Sequence, residues 1–145
     1  MSKVFVDTNL IVYTMDDDEP EKRDKCRRLL DDLVARRGGV ISTQVLQETY
    51  VVATRKLRRD PLRVRADLKL LSALELVLIA PPIIFEAIDC SILNTISFWD
   101  ALLVAAAASA RCDTLWTEDL NDGQTLLGVR IENPLKEPGP QIHTD

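Results

Sequence analysis

Two aspartates bracket one unit of this sequence that combines a helix, a short strand and an acidic turn. The unit runs from Ser97 to Asp122, and Asp100 falls in the first turn of its predicted helix. Asp119 follows the apolar run 115–117, which is short enough for a buried strand. Ligands of open α/β sheets bind beyond the carboxyl ends of the strands. The spacing therefore predicts a polar site at that edge.

Two distant acidic residues, Asp7 and Glu48, also lie at the end of a predicted strand and near the start of a predicted helix. Asp7 ends the β-branched and aromatic run VFVD, and Glu48 lies near the start of the predicted helix TQVLQETYVVATRKLRR. Parallel strands end at one edge of a sheet, and the helices that follow them begin there. We therefore expect four carboxylates to converge.

Convergence of carboxylates has a chemical consequence. Two such charges ~4 Å apart repel by about 4 kcal/mol at an effective dielectric constant of about 20. Such a cluster must protonate or hold a cation. Oxygen ligands without Cys or His select Mg²⁺ or Mn²⁺. A hard cation polarises a phosphoryl oxygen and lowers the pKa of bound water, which is the chemistry of phosphodiester hydrolysis.

Taken singly, each acid also has a structural explanation. Asp7 could form an Asx turn, and Asp100 could complete a capping box with Ser97. Glu48 could be an ordinary solvent-facing helix residue, and Asp122-Gly123 is a common turn pair. Only the joint placement favours a site.

The bulk properties limit the possible partners. At 145 residues and 46% hydrophobic, the chain is expected to fold as one domain. Its net charge of −5 gives no general attraction to RNA or to anionic membranes, so a polyanion would need a local basic patch or a metal. No apolar run reaches the ~18 residues of a membrane span, and the first residues lack the basic and then apolar pattern that is typical of a signal peptide. We expect no membrane association and a cytoplasmic location.

Cysteine and histidine are not expected to act in catalysis. Cys26, Cys90 and Cys112 show no metal-site or redox spacing, which predicts reduced core thiols. The single histidine, His143, lies in residues 136–145, predicted to be a flexible C-terminal tail.

The elements that must position the acids alternate along the chain. Strands are predicted at 4–7, 40–41, 76–79, 115–117 and 129–131, with helices between the first four. We expect residues 76–79 to be buried, and we expect Trp99 and Tyr50 to lie on the packed faces of their helices. Alternation of this kind predicts a three-layer α/β/α fold with a mainly parallel sheet.

Four segments together resemble a PIN domain, and more narrowly the VapC-type ribonuclease toxins of toxin–antitoxin modules. They are VFVDTN, QVLQETYVV, SFWDALLVAAA and LWTEDLNDGQTLLGVRIENPL. The pair SFWDA and TEDLNDGQ is the specific part, whereas VDTN alone is not. The resemblance covers residues 3–135, and we assign 1–135 to the PIN domain.

The resemblance implies a role for each site residue. The expected catalytic and metal-binding residues are Asp7, Glu48, Asp100 and Asp119, with Asp122 as a secondary ligand. Asn9 is expected to orient Asp7, and Thr117 to position water or an aspartate.

The resemblance also implies a Mg²⁺- or Mn²⁺-dependent endoribonuclease that acts on structured RNA such as tRNA or rRNA. It implies inhibition by a cognate antitoxin protein and a homodimeric toxin. A basic segment could contact RNA phosphates, or could be a solvated helix surface. Its residues are Arg55, Lys56, Arg58, Arg59, Arg63 and Arg65.

Other functions fit less well. An aspartyl phosphatase needs a second acid where Asn9 stands, and a receiver domain needs an aspartate where the chain has residues 79–81. The remaining alternative is a non-catalytic PIN-like module that binds RNA or protein. Retention of four acids argues against it, because an unused cluster of like charges destabilises a fold.

Overall fold

The computed structural model describes residues 2–136, so the predicted tail lies almost wholly outside the described residues. The strands are β1 (Val4–Val6), β2 (Gly39–Ser42), β3 (Glu75–Val77), β4 (Thr114–Trp116), β5 (Thr125–Leu126) and β6 (Val129–Glu132). The helices are α1 (Thr8–Tyr13), α2 (Pro20–Ala35), α3 (Thr43–Arg55), α4 (Pro61–Leu70), α5 (Pro81–Asn94) and α6 (Phe98–Ser109). A 3₁₀ turn at Leu71–Ala73 joins α4 to β3.

The six strands form one sheet in the order β3-β2-β1-β4-β6-β5. Every neighbouring pair is parallel except β5 and β6, which are antiparallel. The three-layer fold with a mainly parallel sheet is therefore confirmed. From β1 the chain builds outward through β2 and β3, and then returns to the other side of β1 as β4. The crevice between the ends of β1 and β4 is a topological switch point, where open α/β sheets bind ligands.

The core lies around the central strands and the alanine-rich helix α6. Phe5 of β1 and Leu115 of β4 are fully buried, and every residue from Ala101 to Ala107 is buried. Small side chains let α6 pack closely against both the sheet and α5. This dense packing fixes the ends of β1, β4 and α6, from which three of the predicted acids project.

Three sequence predictions about packing are wrong. The predicted buried strand 76–79 corresponds to β3, which is an edge strand with a neighbour on one side only. Leu76 in β3 is therefore 43% exposed, and Leu78, just beyond its end, is 67% exposed. Trp99 is 62% exposed, since the fully packed part of α6 begins only at Ala101. Tyr50 on α3 is also exposed, and the two-residue strand β5 is too short to have been predicted by periodicity.

The three cysteines are buried free thiols, as predicted. Burial raises the pKa of Cys26 to about 11 and that of Cys112 to about 12, so neither is a ready nucleophile. Across residues 2–136, none of the helices has the length and apolar character needed to cross a membrane.

Candidate active site

Asp7 is the buried centre of the candidate site. It immediately follows β1 and caps α1, and only 3% of its surface is exposed. Its Oδ1 accepts a hydrogen bond from the Thr8 backbone N–H at 2.6 Å, and its Oδ2 accepts one from Thr117 Oγ1 at 2.7 Å. Desolvation raises the pKa of Asp7 to about 7; the two hydrogen bonds oppose the shift, and the charges of Asp119 and Glu48 add to it.

Thr117 connects the ends of the two central strands. It follows β4, is fully buried, and accepts a hydrogen bond from the Asp119 backbone N–H at 3.0 Å while it donates to Asp7. The loop after β4 is therefore fixed to the end of β1. Burial raises the pKa of Asp119, and the neighbouring charges of Asp100, Glu118 and Glu48 raise it further.

Glu48 reaches the site from α3 and is held at both carboxylate oxygens. Oε2 accepts a hydrogen bond from Thr8 Oγ1 at 3.0 Å, and Oε1 accepts one from Gln44 Nε2 at 2.9 Å. Gln44 is buried, and its amide also donates to the Trp99 carbonyl at 3.3 Å. Sequence reasoning missed Gln44, although its position one helical turn before Glu48 is a usable signal.

Asp100 makes only half of the expected capping box. Its backbone N–H donates to Ser97 Oγ at 3.1 Å, which caps α6. Within residues 2–136 its carboxylate accepts no hydrogen bond, and its charge contributes to the raised pKa of Asp119. The carboxylate of Asp100 is thus near Asp119 and available for a further interaction.

Three of the four predicted acids line a single cleft of about 250 Å³. Asp7, Glu48 and Asp119 form its acidic wall, and Asp16 lies farther along it. Lys56 is the one basic side chain among the described residues that line this acidic cleft. The structure therefore brings together side chains from β1, α3 and the loop after β4, as the sheet topology predicts.

Two predicted site residues, Asn9 and Asp122, form no hydrogen bond between their side chains and the other predicted site residues in the described part of the chain. Asn9 lines the acidic cleft, but its buried Oδ1 has no hydrogen-bond partner among the described residues, and Thr8 and Thr117 rather than Asn9 hold Asp7. Asp122 accepts a hydrogen bond from the Asn133 backbone N–H at 2.9 Å and lies 3.8 Å from Lys136 Nζ. The roles assigned to both residues stay predictions.

The basic segment runs from Arg55, at the end of α3, to Arg65 in α4, and it contains both ion-paired and unpaired side chains. Arg59 donates to the Met15 carbonyl and lies 3.7 Å from an Asp17 carboxylate oxygen, so it ties the segment to the loop after α1. Arg55, Lys56 and Arg58 are exposed and form no ion pair with any residue from 2 to 136. Arg65 in α4 is likewise exposed and has no ion pair among these residues, so four side chains of the segment are available to an incoming polyanion.

The donor set of the acidic cleft fits a hard divalent cation. Its carboxylate and hydroxyl oxygens are ligands that such cations prefer. Burial raises the pKa of Asp7 and of Asp119, and the charges of neighbouring acids raise both further, so a cation would stabilise the ionised forms. As the side chains stand in residues 2–136, no three acids, histidines or cysteines are close enough to hold a metal ion directly. Mg²⁺ commonly uses one or two carboxylates and keeps several waters, which suits acids at such a spacing.

The fold and this acidic cleft define an α/β domain with a carboxylate site at the switch point of its sheet. The PIN domain family profile matches residues 4–121, and the chain belongs to that family. A comparison with curated proteins found no match.

Solved structures of toxin–antitoxin proteins share the fold at low sequence identity. The DNA-bound VapBC of Salmonella typhimurium has a TM-score of 0.67 at 21% identity, covering 91% of this chain and 98% of that one. VapBC2 of Rickettsia felis, bound to a promoter DNA fragment, gives 0.66 at 21%, covering 90% and 97%. The Mycobacterium tuberculosis toxin VapC20, which cleaves the sarcin-ricin loop, gives 0.63 at 18%, covering 81% and 92%.

Proposed function

We propose that this PIN domain is a Mg²⁺- or Mn²⁺-dependent endoribonuclease toxin that hydrolyses structured RNA, either tRNA or rRNA. The observation that carries the proposal is the convergence of the Asp7, Glu48 and Asp119 carboxylates on one cleft. Asp100 is within electrostatic reach of Asp119. The similarity of the fold to VapC20, which cleaves the sarcin-ricin loop, supports RNA as the substrate class.

The four acids would hold the cation, with Asp122 as a secondary ligand. A bound Mg²⁺ or Mn²⁺ supplies polarisation of a phosphoryl oxygen and a water of lowered pKa. Thr117 and Thr8 keep the oxygens of Asp7 and Glu48 in place by the hydrogen bonds that they donate. Fixed carboxylates reduce the reorganisation needed when charge develops on the reacting phosphate.

RNA must approach the acidic cleft against the negative charge of the protein. Lys56 lies on the wall of the cleft, and Arg55 and Arg58 are exposed beside it. We propose that these cations contact phosphates of the RNA, whereas Arg59 mainly holds the loop that contains Asp17.

We further propose a cognate antitoxin as the inhibitor, a homodimeric toxin and a cytoplasmic location. The antitoxin is supported by the similarity of the fold to a solved toxin–antitoxin complex of Klebsiella pneumoniae and to the two VapBC structures described above. Exposed apolar residues on α5 are consistent with a protein interface, since Phe85, Ile92 and Leu93 are 66%, 72% and 81% exposed.

The test is incubation of antitoxin-free protein with total cellular RNA in Mg²⁺, in Mn²⁺ and in chelator. Discrete fragments that require both the cation and Asp100 are expected, with Asp100→Asn as the inactive control. Mapping the fragment ends then identifies the RNA. If antitoxin-free protein cleaves nothing under any of these conditions, the non-catalytic module that binds RNA or protein becomes the better assignment.

A further inference from the structure

A second groove, mostly apolar, adjoins the acidic cleft between α3 and the start of α6. Its volume is about 460 Å³, and its lining residues are Gln44, Gln47, Glu48, Val51, Val52 and Trp99. Glu48 and Val52 line both the groove and the acidic cleft. The two cavities therefore adjoin at these two side chains, and a ligand in the acidic cleft lies beside this groove.

Trp99 gives the groove an exposed aromatic surface. The residue is 62% exposed, although the helix that carries it is buried from Ala101 to Ala107. Phe98 packs against the indole edge-on, with ring centroids 5.2 Å apart and an angle of 74° between the planes. The Trp99 carbonyl is anchored to α3 by Gln44 Nε2. The Trp99 backbone is thus held by Gln44 and its indole packs against Phe98, while most of the residue remains exposed to a ligand.

The composition of the groove favours a flat, uncharged ligand group. Val51, Val52 and Trp99 supply its apolar surface, and the described residues that line it include no lysine or arginine. A phosphate would meet only Glu48 there as a charged group and would be repelled. The Gln47 side chain, which carries an amide, is exposed at the groove. Amide groups of this kind can pair with the hydrogen-bonding edge of a base.

We propose that this groove binds an unpaired RNA base next to the phosphodiester in the acidic cleft, with the base stacked on Trp99. The proposal rests on the ribonuclease function proposed above and adds a subsite to it. Proteins that recognise single-stranded RNA stack bases on aromatic side chains, and such stacking tolerates different base sequences. One ribose joins a base to its phosphate, so the two adjoining cavities accommodate the two ends of one nucleotide.

Trp99 itself can report the binding, because the chain has only two tryptophans. Trp116→Phe leaves Trp99 as the single indole, and Asp119→Asn prevents cleavage during the measurement. The probes are a short oligoadenylate and an abasic oligonucleotide of the same length, each titrated in Mg²⁺. We expect the oligoadenylate to quench the Trp99 emission at saturation and the abasic strand to leave it nearly unchanged.

Variants measure how much the stacking contributes. In the Asp119→Asn background, Trp99→Ala is expected to weaken oligoadenylate binding about 10-fold, whereas Trp99→Phe retains most of the affinity. Phe85→Ala is the matched control, since Phe85 is 66% exposed on α5 and lines neither cavity. Fluorescence anisotropy of a labelled oligoadenylate gives the affinities.

The outcomes separate the subsite from the underlying function. Two results would overturn the subsite even if total RNA is still cleaved: binding detected by anisotropy without quenching of Trp99, or an unchanged affinity in Trp99→Ala. Either result would favour a protein partner for the groove. Absence of both binding and cleavage in the wild-type protein would overturn the ribonuclease function and the subsite together. Base-dependent quenching with the predicted loss in Trp99→Ala would support the subsite.

Discussion

Thr117 donates its hydroxyl hydrogen to Asp7 Oδ2 at 2.7 Å, joining two buried residues that are 110 positions apart in the chain. The same hydroxyl oxygen accepts a hydrogen bond from the Asp119 backbone N–H at 3.0 Å. One side chain therefore fixes both the aspartate after β1 and the aspartate after β4. This hydroxyl group therefore adds a side-chain link between the two acids to the backbone pairing of β1 with β4.

Thr117→Val should weaken both the fold and the activity. The substitution keeps the side-chain shape but leaves the buried Asp7 Oδ2 without its donor, which costs about 1–3 kcal/mol of unfolding free energy. Urea denaturation and the RNA cleavage assay measure the two effects. Thr117→Ser keeps the hydroxyl and should lose much less activity, so equal activity loss in both variants would contradict this role.

The stability of the metal-free protein should fall with pH because of Asp7. Desolvation raises the pKa of Asp7 from 3.8 to about 7 in the folded protein. Between these values the folded state keeps a proton that the unfolded state has released, so rising pH destabilises the fold until the carboxyl has ionised. Asp7→Asn removes this titration, and its melting temperature in chelator should exceed that of the wild type by an amount that grows across this range.

Added Mn²⁺ provides the complementary measurement for Asp7. Above the raised pKa the wild-type carboxylate is charged and can ligate the cation, so Mn²⁺ should raise the wild-type melting temperature more than that of Asp7→Asn. A difference between the two proteins that does not change with pH in chelator would contradict the assignment of the pH effect to Asp7.

Gln44→Leu should reduce activity and raise the Mg²⁺ requirement, because Gln44 holds a proposed metal ligand. The variant removes the amide that donates to Glu48 Oε1 at 2.9 Å, so Glu48 is held only by Thr8. We expect a lower kcat and a higher Mg²⁺ concentration for half-maximal activity, by roughly 10-fold, as for the loss of an outer-shell partner of a metal ligand. A purely structural role would instead lower the melting temperature and leave the Mg²⁺ requirement unchanged.

Lys56 and Arg59 should behave differently although they are three residues apart. Lys56 lines the acidic cleft and has no ion pair among the described residues, whereas Arg59 contacts Asp17 and the Met15 carbonyl. Lys56→Ala should weaken RNA binding and reduce the salt dependence of binding by about one counterion. Arg59→Ala should chiefly lower the melting temperature. The proposed role of Lys56 would be wrong if both variants changed the salt dependence equally.

The sequence predicts the site well where backbone topology decides the outcome. Asp7 and Asp119 follow adjacent parallel strands, whose carboxyl ends lie at the same edge of the sheet. Periodicity could not show that Trp99 is exposed, because helical spacing does not reveal where a neighbouring element stops covering a helix. It also could not show that Gln44 holds Glu48, since that contact depends on a side-chain conformation within a buried interface.

Strand β3 was predicted as buried for a related reason. Leu76 and Val77 belong to an apolar run that is typical of an internal strand of a parallel sheet. Their exposure depends on the order of strands in space, and β3 occupies the end of the sheet. Local composition does not encode that order.

The long separation between β1 and β4 also determines when the site can exist during synthesis. The ribosome makes the chain from its N-terminus, so Asp7 and Glu48 are incorporated long before Thr117 and Asp119. Until β4 is made and pairs with β1, the first two acids have neither the hydroxyl that orders Asp7 nor the remaining carboxylates. Unfinished chains therefore lack the assembled acidic cleft. The proposed RNA cleavage can begin in the cell only when translation of the domain is nearly complete.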